Sequence, residues 1–242
     1  VDGRQIDAFT TGEELAMALR GPLDTPVAIT VQRGEQTLDL SVGRIPREPI
    51  TSRLLQEHIG YVKLPAFLAN SGEEMKSVLH GLQAQGMDSL IWDLRGNAGG
   101  SMRAATTLLE DLIAEGVFYT AQFKDGHHQS FSAKGGATLA DLPLVILTDG
   151  GTFSAAEMVT AALQDHGRAR VIGSTTGGKG ILQDTIPLDA DSRLHLTIAQ
   201  WFSPAGRTIH QQGVQPDVSL VDNPATADDE LVAFAVEQLQ AP

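Results

Sequence analysis

Val27–Arg33 and Thr37–Val42 alternate apolar and polar residues around Gly34-Glu35, which predicts a β-hairpin. Ahead of it, Gln5–Phe9 reads as a short strand. Thr10 and Thr11, each followed three residues on by Glu13 or Glu14, form overlapping capping boxes for a helix ending near Leu19. Ile45–His58 carries two prolines and mixed charge and reads as a linker. From Ile59 the rhythm changes. Strands are predicted at Ile59–Leu64, Ser89–Leu94, Leu144–Thr148 and Ala169–Gly173, with helices between them at Ser71–Gln85, Met102–Ala114 and Ser154–Asp165. Met75, Val78, Leu79 and Leu82 mark the buried face of the first helix. Strands separated by helices of about 10 to 15 residues imply crossover connections and a largely parallel sheet. Val117–Lys124 and Gln129–Ala133 flank Asp125-Gly126 as a second hairpin. Ile181–Pro187 and Arg193–Trp201 add strands, and Asp228–Leu239 closes with a helix.

A chain of 242 residues can bury a core large enough to need neither metal nor disulfide staples. Its formal charge of −13 leaves no basic surface for phosphates, which argues against a nucleic-acid partner, and predicts weak attraction to anionic membranes. The absence of cysteine excludes thiol catalysis and thiolate metal sites. No apolar run reaches the roughly 18 residues of a membrane span. Val1 opens no signal peptide, and the chain reads as beginning inside a domain.

Candidate chemistry gathers at three places. Leu144–Thr148 runs into Asp149-Gly150-Gly151, a flexible turn, and Ser154 then opens a helix whose free N–H groups favour developing negative charge. A serine that opens a helix is far more often simply its N-cap. Twenty-five residues on, Lys179 lies among Gly177, Gly178 and Gly180. A lysine stripped of water can act as a base, whereas a solvated one on a loop cannot. His166, the obvious rival base, is separated from Ser154 by twelve helical residues, about 18 Å. His127-His128 sits in no metal-binding pattern and reads as an exposed hairpin tip. Third, Asp93-Leu94-Arg95-Gly96-Asn97-Ala98-Gly99-Gly100 joins a buried strand to a helix. It lacks the phosphate-loop spacing, and either an oxyanion site or a tight structural turn fits it.

These stretches, with Ile59-Gly60-Tyr61-Val62, Gln164–Ala169, Gly177–Gln183, Ser203-Pro204-Ala205-Gly206-Arg207 and Gly213–Val218, resemble the C-terminal processing peptidases, or tail-specific proteases, of the serine–lysine class. The resemblance covers roughly residues 59 to 220 in consistent order. It implies Ser154 as nucleophile, Lys179 as general base and Gln183 as the residue that orients the lysine. It also implies an oxyanion hole from the amide of Gly99 or Gly100 with that of Ala155, and supporting roles for Asp165 and Thr176. The implied fold is an α/β, crotonase-like core over 59–222 with a C-terminal helical segment, 223–242, and the implied location is outside the cytoplasm. Residues 1–44 resemble the second half of a PDZ-like α+β domain. Protein or peptide substrates with apolar C-terminal tails follow, with neither metal nor organic cofactor, and a homo-oligomer or a regulatory adaptor stays open. Two other readings keep parts of the pattern: a silent relative that binds peptides, and a crotonase-like acyl-CoA enzyme that has no use for the Ser154–Lys179 pair.

Overall fold

The computed structural model describes residues 1–9, 15, 18–19, 22, 24–44, 48–188, 192–222 and 229–240. The chain divides into two compact units. The smaller comprises Val1–Glu48 and Gln183–Thr197, the larger Pro49–Leu182 and Ile198–Pro242.

In the smaller unit, β1 (Pro26–Arg33) and β2 (Gln36–Gly43) form the predicted antiparallel hairpin. Its register sets Val27 opposite Val42, Ile29 opposite Leu40 and Val31 opposite Leu38, an apolar stripe on one face that ends at the polar pair Arg33–Gln36 beside the turn. Gln5–Phe9 is not a strand. The Ala8 and Phe9 amides close onto the Gln5 and Ile6 carbonyls in one 3-10 turn, because so short an alternation finds no strand edge to pair with. The helix predicted toward Leu19 falls largely outside the described residues.

The larger unit is built on a six-stranded sheet in which β3 (Thr51–Leu54), β4 (Ile59–Lys63), β5 (Ser89–Asp93), β8 (Leu144–Thr148), β9 (Arg170–Gly173) and β12 (Val218–Ser219) lie side by side. All neighbours run parallel except β3, which pairs antiparallel with β4. The stretch read as a linker therefore carries a strand, because Ile50 and Leu54 pack against the core. Both β5 and β8 are buried at every position, as expected of parallel strands covered on both faces. Leu90, Trp92 and Ile146 point to one side with α1 (Ser71–Ala84), α2 (Met102–Leu112) and α3 (Ala155–Asp165). Ile91, Val145 and Leu147 point to the other, against α4 (Glu230–Gln240).

Helix α3 is buried at each residue from Ala155 to Leu163, and its alanines let three layers close around it. β6 (Val117–Phe123) and β7 (His128–Ser132) form the second hairpin, in a sheet ordered β10–β11–β6–β7 with β10 (Ile181–Pro187) and β11 (Arg193–Phe202). Among the described residues no helix is long and apolar enough to cross a membrane. Adjacent strands β5 and β8 release their following loops side by side at the carboxyl edge of the sheet, where open α/β sheets place their chemistry.

Candidate active site

Leu94–Ser101 and Asp149–Ser154 are those two loops, and they are stitched together. Asp149 Oδ1 accepts the amides of Gly96 (2.9 Å) and Gly151 (2.8 Å), the Thr152 hydroxyl donates to the Leu94 carbonyl (2.8 Å), and the Phe153 amide donates to the Asn97 carbonyl (2.8 Å). The turn delivers Ser154 at φ 55°, ψ −117°, a region non-glycine residues avoid. Strain of this kind costs about 1–3 kcal/mol and persists only where surrounding bonds overdetermine it.

The chief overdetermining group is Glu157, which has no solvent exposure. Its Oε2 accepts the amides of Ser154 (2.8 Å) and Lys179 (2.7 Å). Its Oε1 accepts the Thr176 hydroxyl (2.5 Å) and the Gly178 amide (2.6 Å). Two nitrogens bonded to one oxygen at 2.8 and 2.7 Å lie within 5.5 Å of each other, so the backbones of Ser154 and Lys179 meet at this carboxylate. The lysine turn is also packed from outside. A Cβ on Gly177 would stand 2.0 Å from the Phe153 ring, and the Gly177 amide donates to the Thr152 carbonyl (2.9 Å).

Gly99 faces Ser154 directly. With φ +87°, it leaves room for no side chain: a Cβ there would lie 2.8 Å from Ser154 Cβ and 2.9 Å from the Ala155 nitrogen. Its own amide is committed to Asn97 Oδ1 (2.8 Å), and Asn97 Nδ2 in turn donates to the Leu64 carbonyl (2.7 Å). Neither the Gly100 nor the Ala155 amide is given to an acceptor among the described residues. Gly100 is pinned by a bridge to Phe67, where a Cβ would meet the Phe67 carbonyl oxygen at 2.0 Å.

Below the loops, buried Asp93 accepts the Tyr61 hydroxyl (2.7 Å) and the Arg95 guanidinium (2.9 and 2.6 Å), which also holds Asp229 at the start of α4 (3.1 and 2.6 Å). Burial, then the bond to Asp93, drives the Tyr61 phenol well above its ordinary value. Burial works against the Arg95 charge, but its bonds to the two carboxylates prevail and hold it still more firmly protonated.

The remaining predicted residues fall elsewhere. Thr176 joins the centre through Glu157, and its hydroxyl also accepts the Val214 amide (2.7 Å). Asp165 ends α3, about 16 Å along the helix from Ser154. It holds the guanidinium of Arg207 and the Ala205 amide, so it straps the 203–207 loop rather than touching Ser154. His166 caps the same end and its Nε2 bonds the Val117 carbonyl (2.7 Å). Gln183 is exposed on β10, in the part that belongs to the smaller unit. Glu157 and Asn97 lie inside the quoted motifs, but sequence reasoning gave them no role. The signal for Glu157 was present, since Ser154-x-x-Glu157 has capping-box spacing.

Residues 58–220 match the model of peptidase family S41, two-thirds of the chain. The chain belongs to peptidase family S41. Among its relatives, the carboxyl-terminal-processing protease of Synechocystis is 33% identical over 250 aligned positions, covering all of this chain and 58% of that protein. The carboxy-terminal processing protease CtpA of Bacillus subtilis is 32% identical over 222 positions, covering 90% of this chain and 47% of the relative. A solved structure of a photosystem II D1 C-terminal processing protease superposes with a TM-score of 0.73 at 28% identity, over 96% of this chain and 65% of that one. The S41 chain described here thus spans about half the length of the relatives it matches.

Proposed function

We propose that this S41 chain carries the catalytic centre of a serine endopeptidase that uses a Ser154–Lys179 dyad to cut proteins near unstructured, apolar C-terminal tails. The observation that supports it most is the shared carboxylate oxygen of Glu157, which draws the backbones of Ser154 and Lys179 together. The neutral Lys179 amine takes the proton of Ser154 Oγ as that oxygen bonds to the scissile carbonyl carbon. Since Gly99 spends its amide on Asn97, the oxyanion donors are Gly100 and Ala155. The lysine ammonium then protonates the departing amine as the C–N bond breaks. The freed Lys179 amine then takes a proton from water as the water oxygen bonds to the acyl carbon, and returns it to Ser154 Oγ as the ester bond breaks. Gln183 enters this scheme by resemblance, as the residue that orients Lys179.

The reading extends to a crotonase-like core, a PDZ-like origin for residues 1–44 and action outside the cytoplasm, each carried by the resemblance to C-terminal processing proteases. Mass spectrometry of an unstructured polypeptide ending in an apolar tail tests the chemistry. Wild type is expected to cut it, while Ser154→Ala and Lys179→Arg do not, because arginine keeps the charge but cannot serve as a base. Cutting by either variant at the wild-type rate overturns the dyad.

A further inference from the structure

The parallel strands β9, β8, β5 and β4 lie side by side in that order, and each releases its following loop at the same edge of the larger unit's sheet. Lys179 comes after β9, Ser154 after β8, Gly99-Gly100 after β5 and Phe67-Leu68 after β4. Neighbouring loops are bonded in the same sequence. The Gly177 amide donates to the Thr152 carbonyl (2.9 Å) and the Phe153 amide to the Asn97 carbonyl (2.8 Å). Phe67 then pairs with the glycine turn, its amide donating to the Gly99 carbonyl (2.9 Å) and its carbonyl accepting the Ser101 amide (2.6 Å). Lys179, Ser154, Gly100 and Leu68 thus stem from successive strands, each about 4.8 Å from the next.

Leu68 ends this row with an exposed apolar side chain. Among the described residues of the larger unit, the large apolar side chains left well out in solvent are Leu68 (39% exposed) and Val221 (72%). Val221 follows β12, at the opposite end of the row beyond β9. Leu68 is held on a fixed backbone. Phe67 before it is wholly buried, the Leu68 amide donates to Ser71 Oγ (2.9 Å), and the Leu68 carbonyl accepts the Ser71 amide (3.1 Å) where α1 begins. A Cβ on Gly100 would stand 2.9 Å from the Phe67 carbonyl carbon, to which Leu68 is bonded, so the Leu68 and Gly100 Cα atoms are no more than about 7 Å apart.

The dyad reading gives the row a direction. The base that takes the Ser154 proton returns it to the departing amine, so that amine leaves on the Lys179 side. The residue whose carbonyl is cut then lies on the other side, past Gly100 and toward Leu68. Resting on that reading, we propose that Leu68 is a specificity-determining residue: it packs against the side chain of the residue that supplies the scissile carbonyl. It selects peptides cut after an apolar residue, because a charged side chain there would lose water to the leucine with no partner in return.

Peptides that differ only at the residue before the cut, leucine against lysine, test the assignment. At about 0.15 M salt, wild type is expected to favour leucine by about 10-fold or more in kcat/KM. Leu68→Ser is expected to bring the ratio within about 3-fold of unity, and Leu68→Glu to reverse it. Val221→Glu adds the same charge at the far end of the row and is expected to keep the wild-type ratio. A ratio unmoved in both Leu68 variants, or moved as far by Val221→Glu, overturns the proposal. A second readout needs no cutting. Product peptides ending at that residue are bound to the Ser154→Ala protein and followed by fluorescence anisotropy, where the leucine-ended peptide is expected to bind about 10-fold tighter than the lysine-ended one. The Ser154→Ala/Leu68→Ser double variant is expected to lose that preference. A preference that survives in the double variant, or none to begin with, overturns the proposal. Cutting by Ser154→Ala at the wild-type rate overturns the dyad instead, so the two failures are told apart.

Discussion

A carboxylate sealed from water must be met by donors, and Glu157 meets four of them, three from the backbone of residues that define the site. That makes it the residue on which the backbone geometry of Ser154 and Lys179 jointly depends. Glu157→Gln preserves size but replaces one acceptor oxygen by an NH2 group facing donors. Charge-assisted bonds of this kind are worth about 1.5–3 kcal/mol each, and a buried donor left facing another donor loses that and its solvation besides. The variant is expected to lose about 3 kcal/mol of stability by urea unfolding and to cut peptides at least about 10-fold more slowly. A variant as stable and as active as wild type would assign the carboxylate no part in holding the site. Ser154 and Lys179 were legible as candidates because their glycine-rich surroundings are uncommon. The part played by Glu157 was not, because Ser-x-x-Glu also opens ordinary helices. Nothing in that spacing announces bonds to Thr176 and Lys179, some twenty residues on. The commitment of the Gly99 amide to Asn97 was hidden for a similar reason, since two adjacent glycines look alike until their partners are known.

Elements that bury themselves by their own pattern were the legible ones. Ser-Leu-Ile-Trp-Asp in β5 and Leu-Val-Ile-Leu-Thr in β8 are continuous enough to demand cover on both faces, and the helices between them supply it. β12 escaped notice because two residues carry no period, and β3 because the prolines before it suggested a linker. Helix α4 shows how an element is fixed by charge as well as by pattern. Its apolar face covers Ile91 and Val145, while Asp229 at its start receives the Val232 amide (3.1 Å) and the Arg95 guanidinium. Burial alone would raise the Asp229 carboxyl, but the bonds from Arg95 and from the first-turn amides outweigh it and hold the group below its ordinary value. A folded-state value below the unfolded one means that the unfolded chain binds more protons over the interval between them. The stabilisation is therefore complete above the unfolded value, near 3.9, and is lost as pH falls through the folded one. Urea unfolding between about pH 5 and pH 2 is expected to show wild type losing more stability than Asp229→Asn, which has no proton to gain. Parallel losses in the two proteins would mean that the Arg95–Asp229 bond adds nothing to the anchoring of α4.

At the scale of the whole molecule, the parallel α/β core could be read from the alternation of strands and helices, whereas the assignment of Gln183–Thr197 to the smaller unit could not. Strands β10 and β11 each run from one unit into the other, and a hydrophobic period does not record where along a strand its neighbours change. Charge is the property that the chain expresses as a whole. A formal −13 over 242 residues makes the long-range field of this chain negative on average, and an approaching peptide experiences it before it makes contact. The apolar tails proposed above as substrates would differ little in that field, so discrimination on approach would fall to the charges just upstream of the tail. For polypeptides with the same apolar ending, lysines in the preceding segment are expected to raise kcat/KM several-fold over aspartates at low salt, through faster association. At about 0.15 M salt the screening length is roughly 8 Å, so the preference should shrink, and near 1 M, at about 3 Å, it should vanish while kcat stays level. A preference that persists unchanged at high salt would instead locate the selection in direct contacts within the cleft.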